Sequence, residues 1–505
     1  MRFDVSRDSF DPRRRLLRVV QEQGGLVIEA DANEQTAILL HRLHALAEDL
    51  FGPSWGPAAG AGFKIDLTAA GKHTISAGRY YAGGRLCEMP AGRTLGDQPD
   101  VPAAMPITVP DAGQFLVYLD VWERALPAAA NVTGRDPGLE GMRPAPRTQL
   151  VCQVRVFPDA DSKYDAKYIP KSERDNVLNV ATAVLPTVAG DIKDDDAKKI
   201  VFATRDATKP VKLRARPIAR PDDAADPVEL ENQLYRVEIH RGGVAAVAGQ
   251  PIAAIAKCAT YKWSRENGAV CFPISEVVAW GGKSATVQLE GGFYDDRFAL
   301  TKGDWVEYAD DVTALRPRAG DATGLAPNLF AVASVSDDLP VVVTLEAKAA
   351  GTYAPGTGTN SPPSPVLIRW DNGVVDEVTG TSAPGRGPIR ADDDALLVLI
   401  PSGPPSKNPD DDWLPLERGV VVQFVAGATD EFRRGDYWLI PSRSATGAVM
   451  WPTDESDAKL PKAVEPSETP HFFAPLAAAP SKAVATTPLR RVVNRTKLDG
   501  LFETT

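Results

Sequence analysis

The 505-residue chain has only five histidines and four cysteines, and it contains no Walker loop, HExxH or GxGxxG motif. These absences remove the usual starting points for nucleotide-dependent and zinc-hydrolase chemistry. Cys87, Cys152, Cys258 and Cys271 are far apart with no CxxC pair, so neither a zinc knuckle nor a disulfide framework is expected, and buried free thiols are the default. His41 and His44 have metal-compatible spacing but no evident further ligand, so helix surface or interface is the better reading. No apolar run reaches the roughly 18 residues of a membrane span, and the basic, polar start lacks the apolar core of a secretory signal. The expectation is synthesis and assembly in the cytoplasm, with no direct membrane insertion.

What is present is a folded composition, 43% hydrophobic and 24% charged. At about 150 residues per domain the length suggests roughly three domains. Acidic residues outnumber basic ones, 67 to 56, for a net charge of -11, which opposes nucleic acid as a partner. Basic residues cluster at Arg13, Arg14, Arg15 and Arg18 and again at Arg490, Arg491 and Arg495, patches that suit acidic protein surfaces as well as phosphate. The 41 glycines and 43 prolines are spread throughout, as many short strands joined by turns require.

These features predict a mainly β, multidomain protein with an N-terminal helical segment followed by several antiparallel β domains. Residues 1–62 form the helical segment. Asp31 to Glu34 reads as a capping box, and Leu39, Leu43, Leu46 and Leu50 recur at helical spacing before Gly52 and Pro53 stop the run. One amphipathic helix is therefore expected over about 31–51, and a shorter one within 11–23. A first β domain is expected at 63–158, with a hairpin turning at Gly83 and Gly84 and an alternating strand over 114–124. Residues 159–233 read as a connecting region, 234–349 as a second β domain, 350–365 as a linker, 366–480 as a third β domain and 481–505 as a C-terminal tail. Residues 261–270 and 302–308 are echoed by 368–375 and 434–440, through either a duplication or shared turn chemistry.

Candidate chemistry is sparse. Asp120 and Glu123 could be imagined as a glycosidase pair, but residues three apart on a strand point to opposite faces. The acidic pairs Asp295 and Asp296, and Asp310 and Asp311, read as turn residues. Gly435 and Asp436 of the ArgGlyAsp at 434–436 read as a turn before an aromatic strand. Trp122, Trp263, Trp305 and Trp438 lie in strand-like runs and are expected to be buried; an exposed set would instead suit a carbohydrate- or cell-surface-binding module, the alternative function. No catalytic residue, metal ligand or cofactor is assigned.

Several blocks are familiar. SerArgAspSerPheAspProArg (6–13), GlnGluGlnGlyGly (21–25) and GluAlaAspAlaAsnGluGln (29–35) resemble the amino-terminal signature of the DUF6519 family. AlaGlyArgTyrTyr (77–81), TyrLeuAspValTrpGluArg (118–124), residues 232–240, 262–268, 435–443 and 471–477 continue the resemblance in order, while 125–147 departs from it. The resemblance implies a setting with phage-tail-like contractile injection systems. The glycine-then-AlaAspAlaAsnGlu element also looks like helical attachment segments of tail-fibre and baseplate proteins. On this basis the chain is expected to be a non-enzymatic structural component of such a particle, as a baseplate-associated, peripheral fibre or cage element. Its partners would be baseplate, sheath or tube and spike proteins, or further copies of itself, and it could leave the cell as part of a released particle. Arg13, Arg14, Arg15, Arg18, Asp31, Asn33, Glu34 and Gln35 are the expected assembly interface.

Overall fold

The computed structural model describes residues 2–3, 5–67, 73–102, 107, 109, 115–126, 145–158, 211–217, 231–247, 257–291, 299–315, 329–348, 353–358, 363–372, 391, 395–401, 412–417, 419–457, 460–479, 487–488, 490 and 492–493. Among them the chain is mainly β, with one long helix near its start and several separate sheets, one of which closes into a barrel. No helix of the described residues is long and apolar enough to cross a membrane.

The long helix, α1, spans Glu29–Phe51. Its N-cap is the extended Ile28, which offers no side-chain cap. Asp31 therefore falls at the third helical position, where it favours the helix dipole but cannot form the expected capping box. Glu34 instead accepts a hydrogen bond from the Ser9 hydroxyl at 2.9 Å. The shorter helix expected within 11–23 is a single 3-10 turn, Pro12–Arg14, ended by Arg15 at φ 57°.

The expected hairpin is present as Gly78–Ala82 and Arg85–Met89, turning on Gly83 and Gly84 at φ 55° and 68°. Both glycines occupy the left-handed region that other residues avoid. The strand Phe115–Leu126 pairs along its whole length with Arg147–Pro158, and its other edge takes up His471–Ala479. Phe63, Tyr80, Val117, Val121 and Leu476 share one core. In the same region Val492–Val493 pairs in parallel with Ser54–Pro57, and Arg490 donates to the Gly62 carbonyl. The last strand of 366–480 thus belongs to the first β region, and the described part of 481–505 is not a free tail. Arg491 and Arg495 lie outside the described residues.

The six-stranded barrel runs through Cys271–Trp280, Ser284–Leu289, Val342–Glu346, Leu329–Val335, Trp305–Ala309 and Val366–Trp370. Its closing strand comes from beyond the expected linker. The described residues of that linker are tied to the barrel: Tyr353 donates to Asp310 at 2.7 Å, and the Pro363 and Pro365 carbonyls accept from Asp311 and Ile274. A central sheet then joins Leu396–Leu397, Thr260–Ser264, Leu234–Arg241, Tyr437–Arg443 and Ala448–Val449. Strands from 234–349 and 366–480 therefore interleave in two sheets, and hydrogen bonding does not divide them at 350–365. Lys212–Pro217, inside the expected connecting region, pairs with Val420–Val425; residues 159–210 and 218–230 lie outside the described residues.

The echoed segments sit side by side: the Trp263 N–H donates to the Asn372 side chain at 3.0 Å and the Trp263 carbonyl accepts from Asp371. Trp122, Trp263, Trp305 and Trp438 are 4%, 0%, 8% and 2% exposed, so cores rather than an open stacking face take up these rings. Asp436 is buried and Gly435 has φ 81°, which makes the ArgGlyAsp triplet a turn. Asp310 caps the short helix α2 (Asp311–Ala314) with a capping box through Thr313, and Asp311 accepts from Arg124 at 2.9 Å. Asp295 and Asp296 lie outside the described residues.

Candidate assembly interface

The first described residues are tied to the body. Arg2 donates to Glu238 at 2.6 Å, stands 3.7 Å from Glu307 and lies over the Trp370 ring. The Phe3 carbonyl accepts from Asn267, and the Ser6 carbonyl accepts from Arg443. From there the strap crosses to α1, where Ser6 N–H donates to Glu29, Ser9 to Glu34, and Phe10 packs against His41. Those hydrogen bonds from Ser6 hold the Glu29 carboxyl below its ordinary range. Helix α1 is seated on the β hairpin at Gly84, where a Cβ would stand 2.5 Å from the His44 carbonyl. At its end Phe51 packs tilted against Trp55, which stacks on Tyr81.

The eight expected interface residues divide. Arg13 is exposed and pairs with Asp11 at 2.9 Å. Arg14 reaches the Ser9 carbonyl at 3.3 Å and stands 3.7 Å from Glu34. Arg15, Arg18 and Asn33 are exposed. Gln35 holds the strap by accepting from the Val19 N–H at 2.8 Å, and Arg18, Val20, Asp31 and Gln35 line an open depression of about 550 Å³. Glu34 and Gln35 are thus occupied in fastening the strap to the helix, while the arginines face outward. Leu16, Leu17, Val20, Leu26 and Val27 on the same arm are also exposed, Leu26 to 88%. Alternating arginine with bare apolar side chains is a surface suited to an acidic, partly apolar protein partner.

The anchor of the strap is a buried charge network absent from the sequence expectations. Glu238 accepts from Arg2 and from Arg236, both at 2.6 Å, and Lys262 stands 3.5 Å away. Lys262 also pairs with Glu307, which accepts from the Trp370 indole at 2.9 Å. Lys262 and Arg236 lie over the rings of Trp370 and Tyr437. Burial would raise the Glu307 pKa, but Lys262 and Arg2 bring it down to about 2. Burial lowers Lys262, only partly offset by Glu307 and Glu238. Nearby His240 is held well below its ordinary value by burial and by Lys262.

Asp120 and Glu123 engage different partners. Asp120 is buried against His471 at 2.7 Å and Arg155 at 3.7 Å, whereas Glu123 accepts from Arg85 at 3.2 Å. His44 is held below its ordinary value by burial and by Arg85. Among the described residues no group of three or more His, Cys, Asp or Glu side chains is placed to hold a metal.

The network gives acid sensitivity a defined sign. His240 stays neutral in the fold but takes up a proton when unfolded, so its contribution is complete above about pH 6.5 and is lost as pH falls below that value. Glu307 keeps its contribution above about pH 4.5 and loses it toward pH 2. The urea midpoint should therefore fall in two stages on acidification, and His240→Phe should flatten the first. A variant retaining the full slope between about pH 6.5 and 5 would contradict the assignment.

A family model matches residues 1–194, 218–403 and 407–494; it is DUF6519, described as a family of unknown function. No curated protein and no solved structure matches the chain.

Proposed function

The chain belongs to the DUF6519 family, and we propose that it is a non-enzymatic structural component of a phage-tail-like contractile injection particle, docked through its N-terminal arm. The particle setting rests on the family resemblance of the sequence. The docking role rests on one observation above all: the arm from Arg13 to Val27 projects arginines and apolar side chains together, while the strap before it is fastened to the body and to α1, and Val19 within it is held by Gln35. A partner gripping the arm would pull on Glu34, Gln35 and ultimately on the Arg2 anchor, so load would pass into the sheets. Baseplate, sheath or tube, and spike proteins are the partners this reading names, with assembly in the cytoplasm. Release as part of an extracellular particle follows from the same setting.

The test keeps the anchor intact, since removing the whole N-terminal segment would also strip Arg2 from Glu238. Arg15→Glu/Arg18→Glu changes two exposed side chains and should leave thermal unfolding unchanged. Its retention in particles sedimented from the native cell should drop by about tenfold, equivalent to about 1.4 kcal/mol of binding. Undiminished retention would remove the arm from the docking role.

A further inference from the structure

The outward face of α1 carries a pattern unrelated to the arm. Leu39, Leu43, Leu46 and Leu50 follow one another at spacings of four, three and four, and they are 58%, 60%, 57% and 57% exposed. That spacing is the 3.5-residue repeat of a coiled-coil seam, with Leu39 and Leu46 at d and Leu43 and Leu50 at a. The helix meets the body with its other side: Ala30 and Ile38 are buried, and Ala37, His44, Ala45 and Glu48 are partly covered. Among the described residues, the usual reason for an amphipathic stripe, packing on the chain's own core, therefore does not apply to these leucines.

We propose that this seam pairs with the same helix of a second copy, antiparallel. The flanking positions select both the occupant and its direction. Arg42 and Asp49, both exposed, occupy successive g positions. In an antiparallel pair with Leu39 opposite Leu50 and Leu43 opposite Leu46 of the second copy, g meets g, so each Arg42 faces an Asp49 across the seam. The e positions, Leu40 and Ala47, face one another as apolar neighbours. A parallel pair would set Arg42 beside Ala47 and leave Asp49 without a partner. Two-fold symmetry makes each contact occur twice, as an isologous interface requires. Because α1 is already folded against Gly84 and the strap, so short a seam need not supply the cost of forming a helix. The inference stands on the helix and holds whether or not the chain is a particle component.

The test is the molar mass of the full chain by sedimentation between about 1 and 100 µM, a range that brackets a micromolar interface. The wild-type chain should shift from monomer to dimer across it. Leu43→Glu/Leu46→Glu, on side chains more than half exposed, should keep its circular dichroism and melting temperature and stay monomeric. Arg42→Asp should weaken the dimer by about tenfold or more, and Arg42→Asp/Asp49→Arg should restore it. A monomer throughout, or a dimer untouched by the leucine pair, would overturn self-pairing. A leucine-dependent dimer indifferent to the charge exchange would overturn the antiparallel arrangement.

Discussion

Glu238→Ala is expected to destabilise the protein by about 3–5 kcal/mol, the size seen when one member of a buried ionic cluster is removed. The glutamate is the shared acceptor of Arg2 and Arg236 and lies 3.5 Å from Lys262. Without it Arg236 would lose its 2.6 Å carboxylate and Arg2 and Lys262 would share Glu307, with Arg236 and Lys262 almost wholly out of water. The cost should depend on pH in a way that a simple cavity cannot. Lys262 is already held below its ordinary value by burial, and losing a carboxylate lowers it further. Since the unfolded chain then binds a proton that the folded chain rejects, the variant should regain stability as pH rises toward the ordinary lysine value of about 10.4. Urea unfolding of wild type, Glu238→Ala and Glu238→Gln at several pH values measures this. A pH-independent loss would mean that packing, and not charge, carries the site.

The next largest effect is expected at Gly84→Val. The glycine has φ 68°, and an added Cβ would meet the backbone of His44 at 2.5 to 2.9 Å. Neither backbone can yield by turning a side chain, so α1 must lift from the hairpin. The left-handed conformation adds about 1–2 kcal/mol of strain. Gly60→Ala is the control, since Gly60 has φ 87° with open space around its Cβ position; it should show the backbone strain alone. Hydrogen exchange should speed up across 29–51 in Gly84→Val, while the barrel strands keep their protection. Equal protection of α1 in both variants would show that the hairpin does not seat the helix.

Local features could be read from the sequence. The helix was legible from its leucine spacing and the Gly52–Pro53 stop, and the hairpin from its paired glycines. The direction of the leucine face was not, because periodicity reports amphipathicity without saying which side meets the body. Here the body contacts are small, Ala30, Ala37 and Ala45 with Ile38, which permits the close approach of Gly84. The strand pairings that cross the expected divisions were not legible, for a different reason. Val366–Trp370 closing the barrel and His471–Ala479 returning to Phe115–Leu126 are pairings between distant segments, which leave no local trace. The buried network was masked by alternation: Arg236, Glu238 and His240 alternate with Tyr235, Val237 and Ile239, a pattern that normally marks a solvent face. Burial of both faces becomes visible only once the barrel and the N-terminal strap are in place. Of the expected interface, the arginines stay outward, while Glu34 and Gln35 are spent on holding the strap.

We propose that the arm of residues 13–27 is the point by which a folded β body is held in a particle. The most direct measurement is sedimentation of particles from cells that make the chain, followed by quantitative detection of it beside sheath and tube proteins. The expected result is cosedimentation of the wild-type chain and about tenfold loss for Arg15→Glu/Arg18→Glu with the fold unchanged. A wild-type chain found only in the supernatant of cells that contain intact particles would contradict the account.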